Sequence, residues 1–438
     1  MSIRERAREP TRDVPNVDER APLWRVPAFA AIWTGQTASL FGDQVTGLAL
    51  PWLILLETRS PLDAGLIAAA RYAPVVALGL VAGTLADRLD RRRLVIASDL
   101  ARALALGVVA VIGALRHVPA LWVLALVVLV LGAGQLFFQV AYQAWLPEVT
   151  GEPRLGEANA AVEAADAASV LVGYPLAGAL ITAVGPTLAL GANALSFLVS
   201  AVSLGRVRTV PSPRRAARGQ LGGGRGALVE ALAGMRAIVT RPEQRLLKGA
   251  GAALHLAAGA IGVLLATLTQ LQLHLSAWQA GLVFGAAGAG GLISSPFAPR
   301  IYRWGWRRGL AAAAGIVALG SLGLALACVL GPVAGFAVAL LANLVLDGAL
   351  ALGLVLVTTA NTLTTAPHLR GRVNAAGSTL AALVRGARPR RRGGRRGGAG
   401  RARQSTHGLR GAGGLLPAHG AGNGVGGVAT VGSVKVSA

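Results

Sequence analysis

Apolar runs of about twenty residues, separated by short polar breaks, recur along the whole chain up to residue 384. A helix rises about 1.5 Å per residue, so such a run is long enough to cross a hydrocarbon core of roughly 30 Å. The pattern predicts membrane helices near 29–56, 63–86, 94–115, 120–145, 159–184 and 187–205. After a stretch rich in Pro, Gly and Arg it predicts four more, near 246–273, 279–299, 309–330 and 333–361. An eleventh apolar run opens near Val373 but meets Arg385 after about a dozen residues, too short to span. The chain therefore divides into a polar tail at 1–27, six helices over 28–205, a central loop over 206–245, a shorter second set over 246–384, and a segment of different composition over 385–438.

Composition agrees with a membrane solvent: 54% of residues are hydrophobic and 14% charged, whereas an ordinary soluble domain carries about a quarter charged residues. The net charge of +23 would suggest nucleic acid in a soluble protein, but here the arginines lie in loops, and mostly in alternate loops. The N-terminus, Arg88 to Arg93, the central loop, Arg300 to Arg308, and Arg370 with Arg372 are basic. The intervening loops hold little beyond Arg59, Arg116, His117 and His274. By the positive-inside rule this alternation predicts a multi-pass protein of the plasma membrane with a cytoplasmic N-terminus. The expected partner is the lipid bilayer, with no nucleic acid. The first 26 residues contain no apolar core, so no cleaved secretory signal is expected.

Cys328 is the single cysteine, which excludes an internal disulfide or a cysteine-rich metal site, and His255 and His274 are too scattered to hold a metal. Gly222-Gly223-Gly224 lacks the Lys-Ser/Thr of a phosphate-binding loop and reads as linker, while Ala227 to Lys248 suits an amphipathic helix joining the halves. No cofactor and no metal are expected, and the energy source would be an ion gradient, with protons first.

Ionisable residues inside apolar spans are costly in lipid and are default functional candidates. Asp43 in the first span and Arg71 in the second fit two readings: a proton- or cation-sensing carboxylate, or a structural pair across the bundle. Glu163 and Asp166 share a face of the fifth span and Asp347 lies deep in the tenth, four residues after Asn343; these complete the candidates for ion coupling. Asp99 and Arg102, three apart in the third span, suit a structural network with Asp87. Gln135, Gln139 and Tyr142 recur at helical spacing in the fourth span and, with Asn343, are candidates to line a substrate cavity; interhelical hydrogen bonding fits the same spacing.

The loop after the second span reads Gly83-Thr84-Leu85-Ala86-Asp87-Arg88-Leu89-Asp90-Arg91-Arg92-Arg93. This resembles the signature between helices two and three of the major facilitator superfamily, with Asp90 in place of the second glycine. Gly83, Asp87, Arg88, Arg91 and Arg92 would then form a conformational latch, a role that an ordinary basic anchor would not ask of Gly83 and Asp87 together. A degenerate echo, Ala298-Pro299-Arg300 with Arg303, Trp306, Arg307 and Arg308, follows the eighth span and suggests two parallel repeats. Gly35-Gln36 to Gly42-Asp43, Ala144-Trp145-Leu146-Pro147 with Ala158-Asn159, and Leu369-Arg370-Gly371-Arg372-Val373-Asn374 are similar to the exporter-type branch, which includes siderophore, macrolide and drug efflux proteins. Gly173, Pro175 and Gly178 in the fifth span are similar to the helix-five motif of family antiporters, interrupted by Tyr174. The helix-four arginine of many proton-coupled drug antiporters has no counterpart in 120–145.

The resemblance covers about 28–384 and implies an all-α integral membrane fold: two six-helix bundles of the major facilitator type, the second incomplete, with 10–11 helices present. It implies a secondary transporter, a monomer that exports a small amphipathic substrate by alternating access and proton coupling, and not an enzyme. A membrane-embedded enzyme is the competitor from another class, but no paired catalytic acids or Ser-His pattern supports it. After Val384 ten arginines and Lys435 appear with no acid; removing these eleven charges takes the net from +23 to +12. A frame-shifted or disordered tail is the expectation there, and with it a non-transporting membrane protein is the other alternative.

Overall fold

The computed structural model describes residues 22–151, 153–207 and 240–364. The short run at Val373, the stretch Leu369 to Asn374 and the basic tail lie outside them. Among the described residues there is no strand, and ten helical stretches are long and apolar enough to cross a membrane. In chain order they are α1 (Pro27–Thr58), α2 (Pro61–Ala70) with α3 (Ala73–Arg88), α4 (Arg91–Ala114), α5 (Leu121–Thr150), α6 (Leu155–Ala168) with α7 (Tyr174–Val184), and α8 (Pro186–Arg206). The second half holds α9 (Pro242–Thr267), α10 (Ala277–Ser294) with the short α11 (Ala298–Arg303), α12 (Trp306–Ala327) and α13 (Pro332–Thr364).

The helix starts follow local chemistry. Ser60 caps α2 by accepting from the Asp63 N–H at 3.2 Å, with Pro61 in the first turn, and Asp90 caps α4 through Arg93 at 3.0 Å. Ser276 and Gln279 form a reciprocal capping box on α10. Each such cap is worth about 1 kcal/mol. Gly185 at φ 83° lets the chain reverse between α7 and α8, a backbone shape that a side chain resists.

Two spans that read as unbroken in the sequence are interrupted. The second breaks at Arg71 and Tyr72, because Pro74 has no N–H to offer the Ala70 carbonyl. The fifth widens into a π turn at Ser169–Gly173 between α6 and α7, since Pro175 leaves the Leu171 carbonyl without its usual partner. A second π turn, Leu268–Gln272, ends the seventh span.

Within the first half α1 and α4 both pack on α8, and α4 on α5; within the second, α13 packs on α10 and α12. Small residues permit the approach. A Cβ on Gly35 would lie 3.2 Å from the Ser200 Cα, and one on Gly42 would overlap Asn193, whose Nδ2 donates to Thr46 Oγ1 at 2.7 Å. On the other side, a Cβ on Gly320 would lie 2.6 Å from the Leu346 Cβ.

The apolar core is shared at one end only. One large cluster joins both halves through Leu53, Ile181, Leu265, Phe284 and Leu346. At the opposite end the halves have separate clusters: Phe29, Val95, Trp145 and Leu204 in the first, Ala298, Leu352 and Leu356 in the second. That end also carries Arg25, Arg91 to Arg93, Arg154, Arg206, Arg241, Arg300, Arg303, Arg307 and Arg308. The halves thus close together at the end remote from these arginines.

Candidate functional site

Between the halves, the seal at the arginine-poor end is built from α7 against α10. Gly178 and Gly281 face one another: a Cβ on Gly281 would lie 2.5 Å from the Tyr174 carbonyl oxygen and 3.1 Å from the Gly178 Cα. Pro175 lies against Gly285, where an added Cβ would meet its Cδ at 2.8 Å, and Leu171 against Gly288. The helix-five residues Gly173, Pro175 and Gly178 are therefore packing surfaces: Gly173 receives Gln44 of α1, and the other two receive α10. Gln270 adds a polar tie, its Nε2 donating to the Trp52 carbonyl at 3.3 Å.

Tyr174 is the residue on which the seal turns. Its ring lies 5.3 Å from that of Phe284 across the halves, and its hydroxyl sits 3.0 Å from where a Cβ on Gly47 of α1 would be. The sequence marked Tyr174 only as an interruption of a glycine-proline pair; its role depends on what α10 brings to it.

The ion-coupling candidates lie on α1, at the break of the second span, on α6 and on α13. Asp43 is half-buried on α1, Arg71 half-buried at the break of the second span, and Asp347 half-buried on α13, one turn from Asn343. Asp166 and Glu163 are exposed on α6, one turn apart. The Asp43–Arg71 pair, one of the two readings of those residues, is not among the ion pairs of the described residues, which are Arg91–Glu148, Asp99–Arg102, Arg154–Glu157 and Glu243–Arg307. Arg71 is held elsewhere by its backbone, with its carbonyl oxygen against Gly132 of α5.

Two of the proposed cavity residues belong to the packing of the first half. Gln135 Oε1 accepts from Arg102 at 2.6 Å, and Tyr142 is buried and stacked on Phe138 with ring centroids 5.6 Å apart. Gln139 alone of that trio is exposed, so the three do not form one polar wall. Asn343 is fully buried and donates to the Val283 carbonyl at 2.9 Å.

Arg102 explains Gln135. It forms an ion pair with Asp99, both buried, and Ser200 Oγ donates to the other Asp99 oxygen at 2.7 Å. Its guanidinium lies between Phe138 at 4.7 Å and Phe197 at 4.2 Å, so α4, α5 and α8 are joined around one charge pair. The sequence showed the i,i+3 spacing but not the rings.

Of the latch motif, Gly83, Asp87 and Arg88 lie on α3 outside the described side chains, so the network of Asp99 with Asp87 stays an expectation. Arg91 forms an ion pair with Glu148 and donates to the Ala144 carbonyl at 2.8 Å, at the end of α5. Arg92 donates to the carbonyls of Leu204 and Gly205, capping the last turn of α8. Both arginines are thus anchored within the first half. No group of three or more His, Cys, Asp or Glu placed to hold a metal occurs among the described residues.

Comparison with known proteins agrees with this architecture. The family model described as Major Facilitator Superfamily matches residues 32–389. The chain is 33% identical over 204 residues to the multidrug efflux pump Tap of Mycolicibacterium fortuitum, covering 45% of this chain and 48% of that protein. It is 23% identical over 190 residues to macrolide efflux protein A of Streptococcus pyogenes, covering 43% and 46%. The chain thus spans about half the length of the curated relatives it matches. Among solved structures, an inward-facing, unoccupied bacterial homolog of the human lysosomal transporter Spinster superposes with a TM-score of 0.60 at 15% identity, covering 84% of this chain and 81% of that one. A match at that identity speaks for the fold alone. With ten apolar helices of membrane length and a family match over most of its length, this is a multi-pass membrane protein and the chain belongs to the Major Facilitator Superfamily.

Proposed function

We propose that the chain is a secondary active transporter that exports a small amphipathic molecule by alternating access, driven by the proton gradient. It would act as a monomer in the plasma membrane with the arginine-rich end cytoplasmic. The observation that supports the reading is the presence of Asp43, Arg71, Asp166 and Asp347 within membrane-length helices, none in an ion pair with another described residue, in a bundle whose halves share a core at one end only. Charges at that depth are expensive in lipid, and a cavity that opens alternately to either side is where they are tolerated. With the arginines inside, the arrangement corresponds to an inward-open state. The activities for which the relatives are named, multidrug and macrolide efflux, suggest the direction and substrate size.

The test is efflux of a dye or macrolide from cells or inverted vesicles, with and without an uncoupler. Flux that the uncoupler collapses and that Asp43→Asn removes is the expected result. Flux insensitive to both the uncoupler and the substitution would refute proton coupling, and its absence across a panel of amphipaths would refute transport.

A further inference from the structure

Two π turns interrupt the described helices, Ser169–Gly173 in the first half and Leu268–Gln272 in the second, and both pack on α1 and on α10. Each is clasped to α1 by a glutamine. Gln44 Nε2 donates to Ser169 Oγ at 3.1 Å, and its side chain fills the space left by Gly173, where an added Cβ would lie 2.9 Å from the Gln44 Cγ. Gln270, itself in the second turn and buried, donates through Nε2 to the Trp52 carbonyl at 3.3 Å. Ser169 and Thr269 are fully buried, so both turns belong to the interior packing and not to the lipid-facing surface. Gln270 Oε1 is buried and accepts no hydrogen bond, which makes this state costly at the second clasp.

A π turn holds one residue more than an α-helix needs. Resorbing that residue turns the helix on one side by about 100° and draws it along by about 1.5 Å. In the first half the side free to turn is α6, which buries only Ala158 and Ala165, whereas α7 is held against α10 in the seal. Turning α6 would break the bond from Trp33 Nε1 to the Ala161 carbonyl, 3.0 Å, and would carry Glu163 and Asp166 to a different face. What holds the first turn in place is α10: a Cβ on Gly288 would lie 2.6 Å from the Leu171 nitrogen. Parting the halves removes that brace. In the second half the turn leads through His274, at φ 49°, to Ala277, whose carbonyl oxygen would lie 2.4 Å from a Cβ on Gly178. The contact with which α10 begins to pack on α7 therefore hangs on the second turn.

We propose that the two π turns are joints of the alternating-access motion, each resorbed into α-helix when the halves part at the sealed end, and that Gln44 and Gln270 are positioning residues that couple the two joints through α1. This rests on the transport reading and goes further, since it has α6 turning within the first half, a motion that rigid rocking of two halves does not require. The two clasped positions, Gln44 and Trp52, are eight residues apart on one helix, so a displacement of α1 at either clasp is felt at the other.

The experiment is a pulsed electron–electron distance measurement on the full chain in nanodiscs, with Cys328→Ser and labels at Ala160 of α6 and Leu195 of α8, both exposed and both in the first half. A rigid half keeps this distance whatever the other half does. Gln44→Leu, which removes the first clasp and keeps the bulk, should populate a second distance differing by roughly 5–8 Å, the chord of a side chain carried through about 100°. The shift in population should be roughly two- to tenfold, the worth of one hydrogen bond. Gln270→Leu should populate the same second distance from the other half, through α1. Deleting Val172, an exposed residue of the first turn, removes the extra residue and should give the second distance alone, an outcome that misfolding does not imitate. A single unchanged distance in Gln44→Leu overturns the joint, and a response to Gln44→Leu but not to Gln270→Leu overturns the coupling, even where uncoupler-sensitive efflux persists. The second distance in all three variants without gradient-driven flux in the parent would uphold the joints and refute the transport reading instead.

Discussion

Gly281 is the position at which one methyl group should move the whole conformational equilibrium. A Cβ there would lie 2.5 Å from the Tyr174 carbonyl oxygen and 3.1 Å from the Gly178 Cα, both backbone atoms of the opposite half. Backbone cannot rotate aside as a side chain does, so α7 and α10 must separate by roughly 1 Å, and overpacking of that kind costs about 1–3 kcal/mol. Alanine also improves helix propensity by up to about 1 kcal/mol, but α10 is helical whichever way the cavity faces, so that gain cancels between conformations. The net cost falls only on the state in which the halves meet at this end, and shifts the equilibrium roughly 5- to 150-fold away from it. The assay is pulsed electron–electron distance measurement in nanodiscs between labels at Leu62 and Val333, both exposed at helix starts on the sealed end, with Cys328 replaced by Ser. Gly281→Ala should populate a longer distance. Gly79→Ala, where nothing lies within 4 Å of the added Cβ, should not. An unchanged distribution in a Gly281→Ala protein of normal thermal stability would falsify the assignment of this contact as the conformational seal.

Other substitutions separate packing from function. Arg102→Leu leaves Asp99 buried without its partner and should cost about 3–5 kcal/mol, whereas the Asp99→Leu/Arg102→Leu double variant should recover much of that loss; thermal unfolding in detergent reads both. Gly42→Ala should destabilise the first half by about 1–3 kcal/mol, because the new Cβ overlaps Asn193 and disturbs its hydrogen bond to Thr46; a melting temperature equal to that of the parent would refute the close contact between α1 and α8. Arg92→Ala removes the donor to the Leu204 and Gly205 carbonyls at the end of α8 and should cost about 0.5–1 kcal/mol, visible as faster amide exchange confined to that last turn.

Helix number and alternation were legible in the sequence because lipid imposes a length and an apolarity on each spanning segment independently of its neighbours. The ten spans read from apolar runs fall on α1 to α13 with ends differing by a few residues, and the basic loops gather at one end of the structure. Gly35, Gly42, Gly173 and Gly178 were singled out by resemblance to family motifs, and in the structure each is a surface that another helix approaches closely. The breaks at Arg71 and at Ser169–Gly173 were not read from the apolar runs, which continue through Pro74 and Pro175.

Which residues meet was decided only by the tertiary structure. Gln135 and Gln139 have the same local spacing and chemistry, yet one is taken by Arg102 and the other is exposed, because Arg102 reaches α5 from α4 between two rings supplied by α5 and α8. Asp43 and Arg71 invite pairing on paper, but no ion pair joins them and the Arg71 backbone is fixed against Gly132. The sequence by itself determined that the chain crosses a membrane many times and where charge must be accommodated inside it, since those follow from each segment's transfer from water to lipid. The tertiary structure decided the partners of those charges and the end at which the halves close, since both depend on contacts between residues such as Tyr174 and Phe284 that lie far apart in the chain.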